Sequence, residues 1–146
     1  MIKLYTIGFT EKSAKKFFEL LEQNQVRKII DTRINNTSQL SGFAKGKDLS
    51  FFAKRIANIG YEHKLNFAPT KELLRQYRKK EISWDEYTKE YLQLLDARHI
   101  KEATNFESLH ESCLLCSEHS PELCHRKLLA EYLQEINPDI QIIHLQ

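Results

Sequence analysis

Short runs rich in β-formers alternate with segments of helical period along the chain, and this alternation leaves few folds open. Lys3–Ile7 reads as a first strand, broken by Gly8-Phe9-Thr10. Val26–Thr32 reads as a second with Ile29 and Ile30 at its centre, Tyr61–Leu65 as a short third, Ser112–Cys116 as a fourth and Ile140–His144 as a last. Between them, apolar residues recur at helical spacing. Ala14, Phe17, Phe18 and Leu21 fall at i, i+3, i+4 and i+7 behind a cap at Thr10 or Ser13. Asp48 suits the N-cap of a helix with Leu49, Phe52, Ala53 and Ile56 on one face, ended by Gly60. Pro69-Thr70 opens a helix with Leu73, Leu74 and Tyr77 inward. Ser83 caps another, whose stripe of Trp84, Tyr87, Tyr91, Leu94 and Leu95 reads as core. Helix continues or restarts through Ala97–Ala103, and Pro121–Ile136 is the last.

Parallel strands need long crossovers, usually helical, so this order predicts an α/β fold. The expectation is a single domain over residues 1–146: a mostly parallel sheet of about five strands flanked by helices, with a helical insertion between strands three and four. A length of 146 residues suits one core, and 41% hydrophobic with 29% charged residues excludes long disorder. No apolar run approaches the roughly 20 residues of a membrane span. The opening MIKLYTIGFT reads as a strand and not a signal peptide, so a cytoplasmic protein with no membrane partner is expected.

The richest stretch chemically is Cys113–Arg126, CLLCSEHSPELCHR, which holds all three cysteines. An odd count rules out a complete disulfide framework, and reduced thiols are the expectation. The fourth strand delivers Cys116, Ser117 and Glu118 to its end. A loop through Ser120-Pro121 then leads to a helix with Cys124, His125 and Arg126 near its start. Cys113, Cys116, Cys124 and His125 resemble a zinc pattern, but strand alternation puts Cys113 and Cys116 on opposite faces. Adjacent helical residues diverge by about 100°. No metal or other cofactor is therefore expected, and Cys124 is read as packing.

In an open parallel sheet, ligands bind at the carboxyl ends of the strands. That rule gathers Gly8 and Thr10, then Asp31-Thr32-Arg33, then Cys116-Ser117-Glu118 with His125 and Arg126. Arg33 and Arg126 suit a bidentate clamp on phosphate or carboxylate, assisted by the last helix's amino end. Asp31 and Glu118 can hold those arginines or move protons, and His125 is a base or a core histidine. Cys116 is a candidate nucleophile or a small buried hydrophobe. Asp31 and Arg33 alone fit a structural ion pair as well.

Tyr5-Thr6-Ile7-Gly8, Asp31-Thr32-Arg33, Gly60-Tyr61 with His63, Leu115-Cys116-Ser117-Glu118, Cys124-His125-Arg126 and Ile143-His144 occur in an order that resembles the family catalogued as domain of unknown function 488. The run from Asn35 to Lys45, with Ala68-Pro69-Thr70, is similar to one subgroup. The resemblance implies a compact α/β domain and a site at these motifs, with no agreed reaction. Many members carry a histidine after the TIG glycine where this chain has Phe9, so no role is carried over to that position.

Two functional readings follow. One is an enzyme acting on an anionic substrate, a nucleotide or nucleic-acid end, at the pocket formed by the DTR and CSE…CHR segments. There Gly8, Thr10, Arg33 and Arg126 bind, and Asp31, Cys116, Glu118 and His125 do the chemistry. The other is a non-catalytic module that binds nucleic acid or a partner through the basic run Arg75–Lys80 and the loop 34–47. The net charge of +2 does not decide between them. The basic run also fits a solvated helix face, and a loop of about 13 residues is long enough to suggest function.

Overall fold

A computed structural model describes residues 1–37, 42–118 and 122–146. Five strands form one sheet in the order β3-β2-β4-β1-β5, every neighbouring pair parallel. They are β1 (Ile2–Gly8), β2 (Lys28–Asp31), β3 (Gly60–His63), β4 (Ser112–Cys116) and β5 (Ile140–Leu145). Among the described residues six α-helices connect or flank them: α1 (Ala14–Gln23), α2 (Gly46–Phe52), α3 (Lys71–Arg78), α4 (Trp84–Ala97), α5 (Ile100–Ala103) and α6 (His125–Ile136). Three of these, α3 to α5, form the insertion between β3 and β4. None of the described helices is long and apolar enough to cross a membrane.

The sheet is covered on both faces, which is why its central strands read as continuous apolar runs. On one face Leu4, Ile30 and Leu114 pack with Leu73 of α3, Tyr87, Tyr91 and Leu95 of α4, and Leu129 and Leu133 of α6. On the other, Tyr5, Ile7, Ile29, Cys113 and Leu115 pack with Phe17, Phe18 and Leu21 of α1 and Leu49 of α2. Cys113 therefore faces away from the side that holds Leu114, as strand alternation requires.

Several boundaries differ from the sequence reading for local reasons. Lys45, extended at φ −64° and ψ 138°, is the N-cap of α2, and Asp48 lies in its first turn, where a carboxylate suits the helix dipole. A π-helical turn, Ala53–Ala57, continues α2, and left-handed Asn58 at φ 54° ends it. Asn is one of the few side chains that accept that conformation, so Gly60 is free to begin β3. The last helix starts at His125 and not at Pro121, and positions 119–121 of that loop, like 38–41 of the earlier one, lie outside the described residues.

Caps fix the helices that matter to the site. Thr70 accepts from the Leu73 amide at 3.1 Å and opens α3. Ser83 accepts from Glu86 N at 3.1 Å while Glu86 accepts from Ser83 N, a capping box that opens α4. Tyr91 Oη donates to the Phe67 carbonyl at 2.7 Å, tying α4 to the turn that leads into α3. Because Ser83 supplies one half of the box, Ser83→Ala is expected to lower unfolding free energy by about 1 kcal/mol in a urea titration, with the m-value unchanged.

Candidate functional site

The sheet order puts β2, β4 and β1 side by side, so the carboxyl ends picked out by the sequence are neighbours. Gly8 pairs in register with Cys116, and Asp31 with Leu115. Beyond the sheet, backbone bonds hold the ends together. Thr10 N donates to the Ser117 carbonyl at 3.0 Å, and Thr10 Oγ1 donates to the same oxygen. Thr32 N and Oγ1 donate to the Leu115 carbonyl at 3.0 and 2.8 Å.

Asp31 and Arg33 form a closed unit. Arg33 donates Nε to Asp31 Oδ1 and Nη2 to Oδ2, each at 2.8 Å, and Nη2 also reaches the Ala44 carbonyl at 2.7 Å. Tyr61 Oη donates to Asp31 Oδ2 at 2.6 Å, and Asn36 donates to that hydroxyl at 3.0 Å. Burial, then the bond to Asp31, pushes the Tyr61 phenol well above its ordinary range. His63 Nε2 meets the Arg33 carbonyl at 2.7 Å, and the guanidinium lies over the Phe9 ring at 5.2 Å. Both Asp31 oxygens are thus occupied and the carboxylate is fully buried. Asp31 reaches the site through Arg33, which it orients. Tyr61 and His63 lie in the motifs quoted above, but their bonds to this pair depend on β3 lying beside β2.

His125 sits across the sheet from that unit. Its Nε2 is 2.9 Å from both the carbonyl and the hydroxyl of Thr32. The carbonyl can only accept and the hydroxyl already donates to Leu115, so Nε2 carries the proton and Nδ1 keeps a lone pair. Burial, assisted by the Arg126 charge, lowers the His125 pKa to about 4, so the ring is neutral at pH 7.

Arg126 is fully buried, and burial lowers its pKa to about 10, leaving it a cation at pH 7. Nη1 donates to the Glu118 carbonyl and approaches Cys116 Sγ at 3.5 Å. Gly8 makes room for this arrangement: a Cβ there would overlap the Glu118 carbonyl and the Arg126 guanidinium. The two guanidiniums paired above as an anion clamp are both buried, and of the two only Arg33 lines the cleft described below. Arg126 is a buried brace, because the strand-end carbonyl of Glu118 captures it before any ligand can.

Two of the three expected thiols are also not free. Cys116 and Cys124 are joined, Sγ to Sγ at 2.15 Å, and Cys113 alone is a free, buried thiol whose pKa burial raises. An odd count forbids a full framework but permits one pair. Cys124, the extended N-cap residue of α6, is placed to reach the end of β4.

Above these groups opens a cleft of about 800 Å³. Its floor includes Cys116, Ser117, Glu118, Cys124 and His125, with Phe9, Thr10 and Arg33 along one wall. The opposite wall is α3 and the start of α4, which contribute Lys71, Arg75, Tyr77, Arg78, Lys79 and Trp84. Five lining side chains are Lys or Arg and one, Glu118, is acidic. Arg33 is neutralised by Asp31, and Arg75 by Glu72 and Glu81. Lys71, Arg78 and Lys79 make no salt bridge among the described residues. The basic run and the CSE…CHR segment, read above as belonging to rival functions, line one cleft.

Gly8→Ala is expected to destabilise the domain by about 1–3 kcal/mol or more, since neither backbone nor buried guanidinium can yield easily. Thermal unfolding of the variant checks this, and an unchanged Tm would show that the close approach at Gly8 does not matter.

A family model described as "Domain of unknown function DUF488" matches residues 13–133. No curated protein and no solved structure matches the chain.

Proposed function

We propose that this chain, which belongs to the DUF488 family, is an enzyme that takes a phosphate-bearing substrate, a nucleotide or nucleic-acid end, into the cleft between the strand ends and α3. One observation carries the reading: three cations without salt-bridge partners among the described residues, Lys71, Arg78 and Lys79, face a floor that holds the reactive side chains Cys116, Glu118 and His125. Unneutralised cations around a concave surface focus the field and favour an anion of matching size. Arg33 adds a guanidinium already held flat by Asp31, at the border of the floor.

An aromatic wall favours a base-bearing substrate over a simple anion. Trp84, half-buried at the cleft, stacks on Tyr87 at 5.1 Å and packs against Tyr77 at 5.3 Å. Buried Tyr87 and Tyr91 are core, as the sequence suggests, whereas Trp84 and Tyr77 also line the cleft. Aromatic side chains that line a cleft can stack bases on their faces without regard to sequence. At the floor, neutral His125 and the Glu118 carboxylate are the groups suited to proton transfer. Cys116 serves as a nucleophile only when its bond to Cys124 is reduced.

Trp84 is the chain's single tryptophan, so its fluorescence reports directly on the cleft. Titration with a short single-stranded oligonucleotide bearing a 5′-phosphate is expected to quench it, with affinity falling steeply as salt rises. Replacing Lys71, Arg78 and Lys79 by glutamine is expected to reduce the log–log salt slope by about 2–3 and weaken binding uniformly across sequences. Salt-independent binding, or an unaltered slope in the triple variant, contradicts the reading.

A further inference from the structure

The cleft floor holds a cluster whose geometry the anion reading does not explain. Cys116, Cys124 and His125 each offer one ligand atom, and the three atoms lie within 4.8 Å of one another. Spacing alone argues against such a set, because consecutive helical residues point apart. Here the objection fails: Cys124 is not helical. At φ −135° and ψ 140° it is extended, so its sulfur reaches the end of β4 while His125 begins the helix.

We propose that in the reduced protein Cys116, Cys124 and His125 form a binding site for a borderline-soft divalent cation of the zinc class. Two thiolates and an imidazole select such an ion over magnesium or calcium. Three further features fit. His125 donates Nε2–H to the Thr32 carbonyl at 2.9 Å, the outer bond that fixes a ligating imidazole and leaves Nδ1 for the ion. Arg126 Nη1, 3.5 Å from Cys116 Sγ, favours the thiolate. The Cα atoms of the two cysteines stand 7.6 Å apart, wider than the roughly 4.4–6.8 Å usual for bridged pairs. That spacing leaves room for an ion between two sulfurs, each ~2.3 Å from it.

The chemistry balances simply. A phosphine or dithiol reduces the Cys116–Cys124 bond, supplying two electrons while water or the reductant supplies two protons, and the incoming dication displaces both thiol protons. All three ligands border the cleft, so a three-ligand site keeps one coordination position facing it, as catalytic zinc sites do. With an ion in place, Cys116 and His125 act as ligands, and Glu118 is left to handle protons.

The test uses the full chain, reduced with a phosphine, stripped by a chelating resin and titrated anaerobically with Co²⁺ and then Zn²⁺. The expected result is thiolate-to-cobalt charge-transfer absorption that saturates at one equivalent and is abolished by Zn²⁺, which also protects two thiols from labelling. Cys116→Ser and Cys124→Ser lower the affinity by at least about tenfold, whereas Cys113→Ser retains it. The unmutated protein decides the question whether or not a variant folds. Binding without charge transfer, saturation well below one equivalent, or thiols left unprotected by Zn²⁺ overturns the proposal. A Cys116–Cys124 bond that survives the phosphine, counted as one free thiol per denatured chain, overturns it too. The proposal does not depend on phosphate binding, and failure in either titration leaves the other intact.

Discussion

Burying a guanidinium costs several kcal/mol unless its donors are met, so the position of Arg126 constrains everything around it. Its Nη1 is satisfied by the Glu118 carbonyl, and that contact is possible only because residue 8 has no side chain. The glycine that ends β1, the segment that follows β4 and the first turn of α6 are therefore one structural unit. Each part of the unit sets a feature of the cleft. The chain after Gly8 is placed so that Thr10 bonds Ser117, the end of β4 is held so that Cys116 meets Cys124, and α6 begins where His125 can reach Thr32.

The second buried guanidinium, Arg33, is held in a different way, by an ion pair with Asp31. The pair's outside partners are Tyr61 of β3, which donates to Oδ2, and the Ala44 carbonyl before α2, which accepts from Arg33, while Arg33 itself occupies Oδ1. It keeps Arg33 flat at the cleft border without leaving Asp31 a free lone pair to use in chemistry. The rim cations supply the field instead, and they belong to the inserted helices and not to the sheet. The cleft thus joins a rigid floor built by the parallel sheet to a basic wall built by the insertion, in keeping with the general tendency of such folds to bind ligands at strand ends.

Much of the floor was legible in the chain. Ile29-Ile30 and Leu114-Leu115 could only be buried strands, and parallel topology brings their carboxyl ends to one edge, so Arg33, Cys116, Glu118 and His125 were predictable as neighbours of the cleft. Less legible was which polar groups would be spent on each other. Arg126 and Arg33 look alike as sequence; both are buried, Arg126 bonded to the Glu118 carbonyl and Arg33 to Asp31 and the Ala44 carbonyl, and only Arg33 lines the cleft. Cys124 looked helical because it precedes a helical pattern, yet as the cap it is extended, and one residue's difference in backbone angles changes its partner from the core to Cys116.

What the sequence determined by itself was the alternation of strand and helix, hence the parallel α/β sheet, and the set of reactive residues at its ends. These are local properties, fixed by apolar period and by turn and cap residues. Tertiary structure alone decided that α3 folds back over the strand ends. That placement depends on Tyr91 bonding the Phe67 carbonyl and on the packing of Tyr77 against Trp84 and Tyr87, contacts between different elements that no single element's pattern specifies. Only there does a basic helix that could have been an ordinary solvated face become the wall of a cleft.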